Sequence, residues 1–113
     1  MKKAIAAFGT LLYIAGAQAA PRAESVLECG IAADMAVVAH SLAREQVERP
    51  QASKIMARIY DVTSSDRGRE LMKDIIDAAY NSGSGTAQKF AEELFASCMK
   101  SGGNMDPVLG KRL

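Results

Sequence analysis

Cys29, Cys98 and the single histidine, His40, carry most of the reactive chemistry in this chain of 113 residues. A cysteine beside a histidine can act as a thiolate nucleophile, whereas two cysteines in an oxidising compartment form a disulfide instead. The choice turns on where the chain goes. Lys2 and Lys3 precede a thirteen-residue apolar stretch, Ala4 to Gly16, broken only by small residues and Thr10, and Ala17-Gln18-Ala19 follows as an A-x-A site. That is the pattern of a cleavable signal peptide over residues 1–19. The stretch is shorter than the roughly 20 residues that span a bilayer, and no stop-transfer segment follows. The expectation is therefore a soluble periplasmic or secreted protein with no stable membrane insertion after cleavage. Neither cysteine directly follows the cleavage site, which sets aside a lipid-modified N-terminal cysteine. Export then predicts a Cys29–Cys98 disulfide, worth roughly 4 kcal/mol by loop entropy for a closed loop of about 70 residues. His40 is left as a half-buried residue at the edge of an apolar helix face.

Other constellations are weaker as chemistry than as ordinary surface or core. Glu70, Asp74 and Asp77 share one helix face at i, i+4 and i+7 and could form an acid pair or a cation site. With Arg69 and Lys73 beside them, a solvated mixed-charge face is the expectation. Asp61 and Asp66 bracket a hydroxyl-rich turn without the calcium-loop pattern, and one histidine cannot make a histidine-based zinc site. Met35, Met56, Met72, Met99 and Met105 are scattered one per segment, mostly on apolar stripes, as core filler rather than copper ligands. Gly83-Ser84-Gly85-Thr86 opens a helix but lacks a Walker lysine and a preceding strand, so it reads as a linker. The expectation is no enzyme, no cofactor and no metal.

Residues of these types need elements to position them, and four helical segments account for nearly the whole mature chain of 94 residues. The first begins at Ser25, where Ser25 and Glu28 make an S-x-x-E capping box, and is expected to reach Val47. Leu27, Ile31, Met35, Val38 and Leu42 form its large apolar stripe; Cys29, Ala32, Ala36, Ala39 and Ala43 form a small-residue face beside it. So apolar a helix should be central, covered by the other three. Pro50 starts a short second helix with Ile55, Met56, Ile59 and Tyr60 on one side. Ser64 or Ser65 can cap a third carrying Leu71, Met72, Ile75, Ile76, Ala79 and Tyr80, ended by Asn81 to Gly85. Thr86 can cap a fourth with Phe90, Ala91, Leu94, Phe95 and Cys98, closed by Gly102-Gly103. The fold class is all-α, a compact four-helix bundle with one disulfide: signal peptide 1–19, helical domain 20–103 and an extended tail 104–113.

The chain has 14 Lys and Arg against 13 Asp and Glu, and without Lys2 and Lys3 the balance is 12 to 13. Nothing there attracts nucleic acid or an anionic membrane, either of which needs a dense positive face. The signal, the length, the two distant cysteines and the helical pattern resemble those of small single-disulfide periplasmic proteins of proteobacteria, among them acid-stress chaperones and immunity proteins against secreted amidases. Ala57-Arg58-Ile59-Tyr60 between an early and a late cysteine is also similar to a segment of uncharacterised bacterial proteins of this kind. The resemblance implies an all-helical fold and transfers no functional residue. By elimination, the expected function is a non-enzymatic module that binds another envelope protein, as an inhibitor or immunity-like partner. The alternatives are a periplasmic stress chaperone and a carrier of a small apolar ligand. The tail is the expected contact region, with Met105, Val108 and Leu109 beyond a Gly-Gly break and Lys111 and Arg112 to orient an acidic partner. The oligomeric state is left open.

Overall fold

Ser25 and Thr86 start two helices in the way their hydroxyls allow, each accepting a hydrogen bond from the backbone N–H three residues on, Glu28 at 3.1 Å and Lys89 at 3.0 Å. The computed structural model describes residues 22–61, 65–82 and 85–110. The signal-peptide segment 1–19, and Lys111 and Arg112 of the tail, lie outside these described residues. Within them the elements are α1 (Val26–Arg44), α2 (Arg49–Ile59), α3 (Asp66–Ser82), α4 (Ala87–Lys100) and α5 (Asp106–Leu109), with no strand. The Ser65 hydroxyl accepts from the Gly68 N–H at 2.9 Å at the start of α3.

The ends of α1 and α4 follow one geometry with different residues. After α4, Gly102 takes φ 62° and the Gly103 N–H returns to the Cys98 carbonyl at 2.7 Å, a Schellman turn. After α1, the Val47 N–H returns to the Leu42 carbonyl at 3.0 Å, and the left-handed position is held by Gln46 at φ 63°. The first helix therefore ends at Arg44 and not at Val47, because Gln46 adopts a conformation usually left to glycine.

α1 and α4 are antiparallel neighbours. Cys29 near the start of α1 is bonded to Cys98 near the end of α4, with their α-carbons 5.7 Å apart. At the other end the Arg44 guanidinium donates to the Gly85 carbonyl at 3.4 Å. So close an approach requires small side chains between the helices, which decides the face of α1 that turns inward. Cys29, Ala32, Met35, Ala36, Ala39 and His40 are buried. The expected large stripe is only partly internal: Met35 is buried and Val38 and Leu42 are half-buried, but Leu27 is 72% exposed and Ile31 is also open to solvent. The core continues through Met56 of α2, Leu71, Met72, Ile75, Ile76 and Ala79 of α3, and Phe90, Ala91 and Leu94 of α4. α1 is long and apolar enough to cross a membrane by length and composition alone; here it is the helix on which α3 and α4 pack.

From Asn104 to Gly110 the chain is not an extended tail. The Asn104 side-chain oxygen accepts from the Asp106 N–H at 2.8 Å, and Asp106-Pro107 opens the single turn of α5. Met105 is fully buried in the core, and Val108 and Leu109 are half-buried against it.

Candidate functional site

The cysteines and His40 do not form a reactive pair. Both thiols are consumed in the disulfide, and His40 lies eleven residues beyond Cys29, about 16 Å along the helix axis. His40 is buried rather than half-buried, at 3% exposure, with its ring 5.5 Å from that of Phe90 between centroids. Its place on the small-residue face of α1 carries it into the core with the alanines.

Two of the three carboxylates of α3, Asp74 and Asp77, are drawn into separate ion pairs. Asp77 pairs with Arg49 of α2 and Lys73 of its own helix, both at 3.0 Å. Asp74 instead serves the residue that sequence reasoning passed over. Arg22, three residues beyond the A-x-A site, is buried with its side chain 5% exposed. Its Nε donates to Asp74 Oδ2 at 3.1 Å, Nη1 to Asp106 Oδ1 at 2.7 Å and Nη2 to the Gly110 carbonyl at 2.8 Å. Arg67 donates to the Arg22 carbonyl at 3.1 Å and grips the Glu28 carboxylate through both terminal nitrogens at 2.9 and 3.0 Å. The Arg67 guanidinium holds the Glu28 carboxyl below the ordinary glutamate range, against a smaller opposing effect of burial. This network ties the start of the domain to α3 and α5. It is a structural clasp, because each nitrogen of the Arg22 fork already donates to an acceptor of the chain itself.

Among the described residues no group of three His, Cys, Asp or Glu is placed to hold a metal. Met35, Met56, Met72 and Met105 are buried in the core, as filler should be, while Met99 is exposed on α4. The tail residues expected to contact a partner are redistributed. Met105 is wholly internal, and Val108 and Leu109 spend much of their surface on the bundle, so this part of the chain offers a partner little apolar area.

The apolar surface that is free lies elsewhere. A groove of about 730 Å3 runs between α1 and α4, bounded by Gly30, Ala33 and Val37 on one side and by Gln88, Ala91 and Phe95 on the other. A side chain placed on Gly30 would meet nothing within 4 Å. Beyond the disulfide the apolar surface continues into a smaller depression lined by Val26 and Met99. Val26 is 64% exposed and Leu27 beside it is open to solvent, whereas Ile31 faces the other side of α1, towards Leu71 of α3. The residues bounding the groove include two carboxylates, Asp34 on α1 and Glu92 on α4, and no cation. Asp34 Oδ2 accepts from the Tyr60 hydroxyl at 2.5 Å, and Glu92 Oε2 from the Gln88 amide at 3.0 Å. Burial first, and then Asp34, push the Tyr60 hydroxyl far above its ordinary pKa, so it stays a donor and holds the Asp34 carboxylate in place. The sequence signal for this face was the exceptional apolar arc of α1, wider than the other helices can cover. Compared with known protein families, characterised proteins and solved structures, the chain matches none.

Proposed function

We propose that this is a small exported, non-enzymatic helical protein of the bacterial envelope that binds another protein through the face shared by α1 and α4. The observation that carries the reading is the set of large apolar side chains left exposed there, Val26, Leu27, Val37, Phe95 and Met99, in and beside an open groove. A monomeric domain seldom leaves such an apolar face to water without using it. The groove opens along the surface, which suits a protein element better than a small enclosed cargo. Rigidity supports the same reading, since the disulfide and the Arg22 clasp both hold the two helices or their flanks in a fixed relation, and a fixed surface loses little entropy on binding. The A-x-A signal pattern supports export, and the disulfide is of the kind that persists in an oxidising compartment.

The test compares capture from envelope extract by the oxidised wild-type protein and by Val37→Glu and Phe95→Glu variants, each checked for an unchanged helical melt. Both positions are exposed, so the substitutions leave the core intact. The expected result is a discrete set of captured proteins lost with either groove variant. Capture unaffected by both, or no capture by wild type, overturns the reading.

A further inference from the structure

Resting on the binding role just proposed, we infer that the occupant of the α1–α4 groove is an amphipathic helix of about three turns whose apolar stripe is flanked by lysine or arginine. The shape argument comes from the two walls. Both are helices, antiparallel, with groove-facing residues at helical spacing: Gly30, Ala33 and Val37 on α1, and Gln88, Ala91, Glu92 and Phe95 on α4. The furrow between two such helices is the seat a third helix takes in a bundle, its apolar ridge lying between theirs. Gly30 and Ala33 keep one wall low, so the incoming backbone can approach closely. From Val26 to Val37 the face spans twelve residues of α1, about 16 Å, the length of three helical turns.

The charge argument selects the partner. The disulfide sets the register: Asp34 lies five residues beyond Cys29, and Glu92 six residues before Cys98, so one carboxylate stands on each wall at nearly the same level. A cation on either flank of the bound stripe would meet one of them, with Tyr60 and Gln88 already orienting the oxygens. A second copy of this chain is disfavoured by the same arrangement. Two such faces brought together about a two-fold axis set four carboxylates into an apolar seam with no cation from the groove to balance them.

The experiment uses the protein expressed from its full sequence and purified oxidised, titrated into two labelled 14-residue helical peptides. Both carry leucine at i, i+4, i+7 and i+11; one has lysine on both flanks of the stripe and the other glutamate. Fluorescence anisotropy at low salt should show the lysine peptide binding at least about tenfold tighter, with the preference falling away in 0.5 M salt (about 4 Å screening). Asp34→Asn with Glu92→Gln should erase the preference while keeping residual binding, and Gly30→Leu, which fills the groove without disturbing its neighbours, should abolish binding of both. Equal binding of the two peptides, or binding of neither, overturns the cationic-helix proposal. So does a concentration-dependent dimer in sedimentation that Phe95→Glu dissolves, which would make the occupant a second copy. The broader binding role falls only if the wild-type protein captures nothing from envelope extract or if capture survives both groove variants, so the two failures are told apart.

Discussion

Replacing Arg22 with alanine should cost the domain about 3 kcal/mol. Severing a fully buried ion pair costs about 3–5 kcal/mol because a charge is left stranded. Here the stranded partners are not fully buried: the Asp74 and Asp106 side chains are 26% and 32% exposed, so water recovers part of their hydration. Against that discount stand two hydrogen bonds to carboxylates at about 1.5 kcal/mol or more each and a weaker one from the same cation to the neutral Gly110 carbonyl at about 1 kcal/mol. The Arg67 bond to the Arg22 backbone survives the substitution. Arg22→Lys keeps the charge but not the fork, satisfies one carboxylate at a time and should lose about half as much. The chain has no tryptophan, so unfolding is followed by far-UV circular dichroism in urea with the disulfide intact. With a slope of about 1 kcal/mol per M, the alanine variant should unfold about 2–3 M earlier, or about 10–20 °C lower on heating. A double-mutant cycle with Asp106→Asn should give a coupling of about 1–2 kcal/mol. An alanine variant within about 0.5 kcal/mol of wild type, or a lysine variant equal to arginine, would refute the argument that the fork closes the domain.

Cys29→Ser with Cys98→Ser should lower stability by up to about 4 kcal/mol, less any structure kept by the unfolded chain; mass and thiol titration of the native protein should first show no free thiol. Gln46→Gly should raise stability by about 0.5–1 kcal/mol in the same urea assay, because the backbone already takes the left-handed conformation there. Glu28 has its pKa lowered by Arg67, so its contribution is complete above the ordinary glutamate value of about 4.3 and is lost as pH falls through the depressed folded value. Glu28→Gln should therefore flatten the acid limb of the stability profile below about pH 4.5; an unchanged limb would show that the pair contributes nothing.

The helices were legible because their signals are local. Ser25, Ser65, Thr86 and Gly102-Gly103 act within a turn of their own positions, and the disulfide followed from two cysteines that both lie on apolar faces. Which side of α1 faces inward was not local. It depends on how closely α4 approaches, and an apolar arc wider than half the helix does not state which part will be covered. His40 went inward with that choice. The end of α1 was hidden because Gln46 carries no glycine-like signal. The Arg22 clasp joins residues 52 and 84 positions apart, and no spacing rule picks Asp74 and Asp106 from the chain's thirteen acids. The tail was misread for the same reason. Once Met105 fills the core and Asp106 answers Arg22, removing everything after Gly103 takes away part of the fold as well as any partner contact.

The clasp also imposes an order on the birth of the molecule. Arg22, Ala23 and Cys29 close on Asp106, Gly103 and Cys98, which are synthesised 69 to 84 residues later. No early fragment can finish itself, and α1 must wait through most of the synthesis with its apolar surface uncovered. Non-local closure of this kind slows folding and prolongs exposure to wrong associations. A helix apolar enough to pass for a membrane segment is a hazard for just that interval. The nascent chain should therefore depend on a holding factor until Cys98 and Asp106 are free to dock, and a ribosome stalled ahead of Cys98 should leave a product that proteases clear.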